Sequence, residues 1–348
     1  MPSSAHIGLP TADLQRFAHK SKPGEVFVRH WREDSALPHV VTLDWPRSHD
    51  FYTLRSGATS PLLFVETVRQ ALAVLSHTTQ DVPLDHRLGW EYAHYAFAPA
   101  AFREHRAPAH VELRVTHGDI TRRRLGSIRL TARVEAACDG EPLGSAEIRY
   151  VTHPPAIYNR LRKKYADAQR AFAAALPPAP PVTPSLADRA GPGDVVIAPT
   201  SKPHRYQLRT DTSNSVLFDH PHDHVPGMVL LEAVTQAVHA SVPGHAHPVV
   251  LDTTFLRYVE FDAPCWIDIA PKSPDKHGRS RLVVTGTQNG QETFSTTVTL
   301  ESRTVALEPT ATTAMAAATT APATTTAVEP ADLVRLGGGT APAARPAP

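Results

Sequence analysis

The sequence predicts an α+β chain made of two copies of one unit, each a buried helix wrapped by an antiparallel sheet. Three observations carry this. Short blocks repeat at a near-constant offset along the 348 residues, each copy holds one helix-length segment with almost no polar face, and the later segments of each copy alternate polar and apolar residues.

The repeat is read from two separated blocks. Pro23-Gly24-Glu25-Val26-Phe27-Val28 matches Pro192-Gly193-Asp194-Val195-Val196-Ile197, and Leu63-Phe64-Val65-Glu66-Thr67-Val68-Arg69-Gln70-Ala71 matches Val229-Leu230-Leu231-Glu232-Ala233-Val234-Thr235-Gln236-Ala237. Gly24 to Gly193 is 169 residues and Glu66 to Glu232 is 166, an offset hard to obtain twice by chance.

Taken in order, residues 1–20 form an N-terminal tail without the basic segment and apolar core of a secretory signal. The first unit spans residues 21–160. Its helix covers about 61–76, where Leu62, Leu63, Phe64, Val65, Val68, Ala71 and Leu72 leave little to face water. Strands follow at 109–115, 127–134 and 145–151. Residues 161–191 join the units. A helix over 157–176 presents a basic face, and the run Leu176-Pro177-Pro178-Ala179-Pro180-Pro181 then forbids helix and central strand. The second unit, 192–305, repeats the plan with a helix at about 227–240 and strands near 265–269, 281–287 and 293–300. Thr293-Phe294-Ser295-Thr296-Thr297-Val298-Thr299-Leu300 alternates as a sheet with one wet face does. Residues 306–348 are almost entirely Ala, Thr and Pro, and are expected to be disordered because they bury too little apolar surface to offset ordering.

Composition excludes several classes. Thirty-five Lys and Arg against 34 Asp and Glu leave no field suited to nucleic acid or an anionic membrane. No apolar run approaches the roughly 20 residues of a membrane span. Two distant cysteines, Cys138 and Cys265, do not make a disulfide framework and are expected to be reduced in a cytoplasm, buried and incidental. No Gly-rich dinucleotide, P-loop or nucleophile-elbow motif is present, and no cofactor is expected.

The chemistry concentrates in Asp219-His220-Pro221-His222-Asp223-His224-Val225-Pro226-Gly227-Met228, a histidine-rich loop leading into the second helix. Glu232 follows among Val229, Leu230, Leu231, Ala233 and Val234. A carboxylate there costs several kcal/mol unless it is paired or protonated. Desolvation also raises its pKa, which suits a general base or acid. Glu66 holds the same place in the first helix, with Arg69 one turn on and Gln70 beside it; Gln236 is the counterpart of Gln70, and Arg69, Gln70 and Gln236 are expected to bind substrate. The N–H groups of Gly227 and Met228 are placed to stabilise an oxyanion. The loop histidines and aspartates have neither cysteine nor a helical His-x-x-x-His pair beside them, and no metal is expected. Arg122-Arg123-Arg124 and the stretch 160–164 are expected to be solvated basic faces, with docking of an acidic carrier protein as the functional alternative.

This constellation resembles the helix entry of β-hydroxyacyl-carrier-protein dehydratases, in which a His-containing loop, Pro-Gly and Glu-x-x-x-Gln occur in that order. It resembles more closely the A-factor (γ-butyrolactone) biosynthesis family, in which a hotdog unit is duplicated and His-Val-Pro-Gly-Met precedes a Leu-Leu-Glu-Ala helix. The resemblance implies a tandem double hotdog over about residues 22–305. It implies an acyltransferase joining a β-ketoacyl carrier-protein or CoA thioester to the hydroxyl of dihydroxyacetone phosphate, the first step towards butyrolactone autoregulators. From the dehydratases it implies that the His of one unit faces the Glu of the other, pairing His220 with Glu66 and His49 with Glu232. Two departures stand out. The family usually carries Arg three residues after the second helix Glu, where this chain has Thr235, and Glu66 follows His49 by 17 residues whereas Glu232 follows His220 by 12. Arg257 is the candidate to hold the phosphate that Thr235 cannot. Alternatives on the same scaffold are a dehydratase, a thioesterase or a non-catalytic acyl-binding or butyrolactone-binding regulator. Monomer and homodimer are both compatible with a chain that already holds two units.

Overall fold

A computed structural model describes residues 10–32, 38–102, 108–242 and 247–301. In chain order the first unit contains α1 (Thr11–Phe17), β1 (Val28–Arg32), β2 (His39–Trp45), α2 (Leu62–Thr79), β3 (Arg87–Phe97), β4 (Ala109–His117), β5 (Thr121–Arg122), β6 (Ile128–Cys138) and β7 (Glu141–His153). The connection holds α3 (Pro155–Arg162) and α4 (Ala168–Ala173). The second unit contains β8 (Ile197–Pro199), β9 (Arg205–Leu208), α5 (Gly227–Ser241), β10 (Pro248–Phe255), β11 (Cys265–Lys272), β12 (Arg281–Gln288) and β13 (Gln291–Leu300).

The strands form one antiparallel sheet in the order β1-β2-β4-β6-β7-β3-β10-β13-β12-β11-β9-β8, with β5 attached to β6. The order reads the same way from both ends: in each unit the strand after the helix lies innermost. The seam is the β3–β10 ladder, running from Val250 opposite Ala96 to Thr254 opposite Tyr92. Each half is a hotdog, and the two share a continuous sheet. Alternation follows the pleat, as in β6, where inward Ile128, Leu130, Ala132 and Val134 are buried.

The two long helices are buried nearly all round, which their lack of a polar face requires. Their polar residues find partners inside. Thr67 donates to Leu63 O at 2.6 Å and accepts from the Trp45 indole at 2.8 Å. Ser76 pairs with the Tyr150 hydroxyl at 3.0 Å, and Ser241 with Tyr206 at 2.8 Å. No described helix is long and apolar enough to cross a membrane.

Three local expectations change. The helix read over 157–176 breaks into α3, a 3-10 turn and α4, because Lys163 takes a positive φ of 52°. Its basic face is not wholly solvated, since Arg162 is buried in an ion-pair network. The N-terminal stretch is not simply a tail: Leu14 of α1, and Ala18 just after it, are buried against the first unit. The Ala/Thr/Pro-rich stretch from 306 onward lies outside the described residues.

Phe294 is fully buried across Gly286, and a Cβ there would meet its ring at 2.1 Å. Gly286→Ala is therefore expected to destabilise the protein by about 1–3 kcal/mol through overpacking, read as a lower denaturation midpoint at unchanged m-value.

Candidate active site

Each unit buries its helix glutamate and braces it alike. Gln70 donates to Glu66 Oε1 at 2.9 Å and to Glu25 O at 2.7 Å, while its own carbonyl accepts from Phe27 N at 2.9 Å. Gln236 repeats this with Glu232, Asp194 O and Val196 N. The Pro-Gly blocks and the Glu-x-x-x-Gln blocks of the sequence are thus the two sides of one brace. Gln70 and Gln236, expected to bind substrate, are instead consumed by it, since their side-chain groups are spent inside the fold.

The countercharges differ. Arg69 grips Glu66 with two bonds of 2.7 Å, and Lys20 lies 3.4 Å from Oε1. Burial alone would raise the Glu66 carboxyl, but the charges of Arg69 and Lys20 and the bonds from Arg69 and Gln70 outweigh it and hold it at about 2. The expectation of a raised, base-like carboxyl fails here, because this carboxylate is already saturated with donors. In the second unit Thr235 turns back to Leu231 O at 3.0 Å, and the cation comes from the linker. Arg189 bonds Glu232 Oε1 through Nε at 2.9 Å and through Nη2, donates to Phe51 O and stacks over the Phe51 ring at 4.5 Å. Arg189 stands three residues before Pro192, as Lys20 stands three before Pro23, so the two cations occupy corresponding positions.

The consequence is one open and one closed half. A cavity of about 630 Å³ is lined by Glu66, Arg69, Lys20, His220, Gly227 and Met228, among others. Leu72, Leu217, Leu230 and Trp90 supply apolar wall. Glu232 is outside it, with 0% of its surface exposed and Oε2 without a partner. The helix starts match this division. In α2, Leu62 N donates to Ser60 Oγ at 3.3 Å and Leu63 N to Ser60 O at 2.9 Å. In α5 the first donor engaged is Val229 N, to Pro226 O, while Gly227 and Met228 N–H donate to no acceptor among the described residues. A Cβ on Gly227 would meet Trp90 at 3.2 Å, so glycine permits this close packing at the cavity wall.

The expected cross-unit pairs separate accordingly. His220 and Glu66 line the same cavity, with His220 Nδ1 taken by Asp219 Oδ1 at 2.6 Å. His49 does not reach Glu232. Its Nδ1 accepts from Phe51 N and Tyr52 N, and its Nε2 lies 3.3 Å from Glu25, so both ring nitrogens are engaged in holding a loop. Arg257 lines the cavity and donates to Glu292 O at 2.7 Å. The sequence reading missed Lys20, Arg189 and Arg162. The signal for the first two was their equal spacing from the repeated Pro-Gly. Both cysteines are buried, and burial pushes the thiols up, Cys138 to about 11 and Cys265 to about 12.

Two tests follow. Arg189→Met leaves Glu232 buried without its cation and is expected to cost about 3–5 kcal/mol in chemical denaturation, largely recovered in Arg189→Met/Glu232→Leu. Burial, then neighbouring positive groups, lowers His19 and His222 to about 3 each. The unfolded chain therefore binds these protons first. Their contribution to stability is complete above about pH 6.5 and is lost as pH falls towards 3. Thermal melting should track that window, and His222→Gln should flatten part of it.

A family comparison agrees with the duplicated architecture. The family model described as the A-factor biosynthesis hotdog domain matches residues 8–154 and 171–316. A 2-oxo-3-(phosphooxy)propyl 3-oxoalkanoate synthase of Streptomyces virginiae is 36% identical over 81% of this chain and 95% of its own length. A synthase of the same name from Streptomyces coelicolor is 30% identical over 80% of this chain and 88% of its own. Among solved structures, a putative oleoyl thioesterase from Lactobacillus plantarum aligns with TM-score 0.47 and 11% identity over 79% of this chain and 98% of that one. With both halves matched, the chain belongs to the A-factor biosynthesis hotdog family.

Proposed function

We propose that the chain is an acyltransferase that joins a β-ketoacyl thioester, carried by a carrier protein or CoA, to the hydroxyl of dihydroxyacetone phosphate. The products are a 2-oxo-3-(phosphooxy)propyl 3-oxoalkanoate and a free thiol. The relatives' name supports the reaction. The observation that carries it on this chain is a cavity of about 630 Å³ in which an apolar wall meets cations and two helix N–H groups that have no acceptor among the described residues.

The charges fit a phosphorylated acceptor. Glu91 and Asp223 line the cavity but are paired from outside it, by Arg129 and Arg162. Lys20, Arg69, Arg87 and Arg257 are then set against Glu66 and Asp219, an excess of positive charge suited to a phosphate. Glu66 acts as the fixed anion that aims Arg69 and Lys20 into the cavity. The acyl chain lies along Leu72, Leu217 and Leu230, and the thioester carbonyl oxygen meets the N–H groups of Gly227 and Met228. An imidazole of the 220–224 loop takes the hydroxyl proton as the C–O bond forms and the C–S bond breaks, and the thiolate recovers that proton. The working site is the one built on Glu66, with α5 of the other half completing it.

The test is mass spectrometry after mixing protein, dihydroxyacetone phosphate and a medium-chain β-ketoacyl thioester. An acyl-glycerone phosphate ester is expected. Glu66→Gln should lower kcat/KM about 10²-fold by misplacing Arg69 and Lys20. Folded Glu232→Gln should stay within about threefold, because it lies outside the cavity. Free acid, enoyl product or unchanged thioester would assign the chain to hydrolysis, dehydration or ligand binding instead.

A further inference from the structure

We infer that His224 is the general base of this transfer and that Asp223 and Arg162 are its positioning residues; this rests on the acyl-transfer reading. The loop 219–224 offers three imidazoles to the cavity. His222 is stacked on His220 with ring centroids 4.2 Å apart. The other two each sit beside an aspartate, and their settings differ.

His224 Nδ1 lies 3.0 Å from Asp223 Oδ1, which leaves Nε2 with no protein partner among the described residues. Its ring packs edge-on to Tyr258 at 4.6 Å, which fixes its plane. Asp223 is itself anchored: Oδ2 accepts from the Tyr158 hydroxyl at 2.6 Å and from Arg162 Nε at 2.9 Å. Arg162 also donates to Asp223 O at 2.8 Å and to both Glu260 oxygens at 2.7 and 2.8 Å, and lies over the Tyr258 ring at 4.1 Å. A guanidinium buried with two carboxylates is weak as a stabilising device, since desolvation offsets most of its attraction. What this network does accomplish is to fix one imidazole at a cavity wall.

Position along the chain supports the assignment. His224 stands three residues before Gly227, so its Cα is within roughly 10 Å of the free N–H that would hold the thioester oxygen. A base for the attacking hydroxyl must work beside that carbonyl. His220 stands seven residues before Gly227, and its side chain is 44% exposed against 24% for His224.

The step is balanced. Nε2 takes the hydroxyl proton as oxygen bonds to the thioester carbonyl carbon. The tetrahedral adduct collapses with loss of thiolate, and the imidazolium returns the proton to sulfur. The groups facing His224 are His222 and Asp223 from its own loop, Tyr158 from α3 and Tyr258 from the segment after β10, with Arg162 and Glu260 behind Asp223 and Tyr258. Burial opposes ionisation of Asp223, but bonds from His224, Tyr158 and Arg162 hold its carboxyl far below the usual range. It remains an anion able to stabilise the imidazolium.

The experiment is a pH profile of kcat and KM for ester formation by the full-length protein and its variants, each checked for folding by circular dichroism. His224→Asn should lose at least about 10²-fold in kcat with KM nearly unchanged, and the acid limb of the profile should disappear. Asp223→Asn should lower kcat with KM nearly unchanged. Arg162→Gln should lower kcat, with partial recovery in Arg162→Lys. A folded His224→Asn that keeps its kcat and its acid limb overturns the assignment, and a limb that vanishes only in His220→Asn transfers it to His220. A wild-type protein that makes no ester overturns the functional reading and this inference with it, whereas active wild type with unaffected variants overturns this inference alone.

Discussion

The structure turns on one constraint: a glutamate buried in an apolar helix must be met by a cation. This happens twice, with the same glutamine brace and with a cation three residues before the same Pro-Gly turn. In the first unit the partners are Lys20 and Arg69, and both remain on the wall of a cavity. In the second the partner is Arg189, which reaches across from the linker, binds Phe51 O of the first unit and seals the carboxylate. The first glutamate lines a cavity, whereas the second is fully buried.

Other asymmetries follow the same line. The α2 start is closed by Ser60, and His49 is spent on its own loop. The α5 start keeps two N–H groups without an acceptor among the described residues, beside a loop rich in imidazoles. The proposed site takes its helix start from one unit and its glutamate from the other. Gly227 and Met228 of α5 and Glu66 of α2 line one cavity, so a single chain supplies both parts of it. In the other half Arg189 joins the linker to both units.

Much of this was legible in the sequence because it depends on periodicity. The two apolar helices, the later strands and the duplication all repeat at fixed spacing, and the helix bounds fall within about three residues of those read. The inner strands β3 and β10 were harder to read, since they carry mixed faces at the seam between units. The site was legible as a set of residue types and not as a division of labour. Glu66 and Glu232 look equivalent in their helices, and only long-range partners distinguish them. Thr235 signalled that the second site had changed, but its replacement, Arg189, lies 46 residues earlier in a proline-rich stretch. Arg162 looked like one more solvated cation because the partners that bury it, Asp223 and Glu260, are about 60 and 100 residues distant.

The central claim is a single working site per chain, and binding stoichiometry tests it most directly. Isothermal titration calorimetry with a non-transferable β-ketoacyl thioether analogue, in the presence of dihydroxyacetone phosphate, should give one equivalent per chain. Two equivalents, or one that persists undiminished when Leu72 and Leu230 are replaced by bulkier side chains that fill the cavity, would contradict the account.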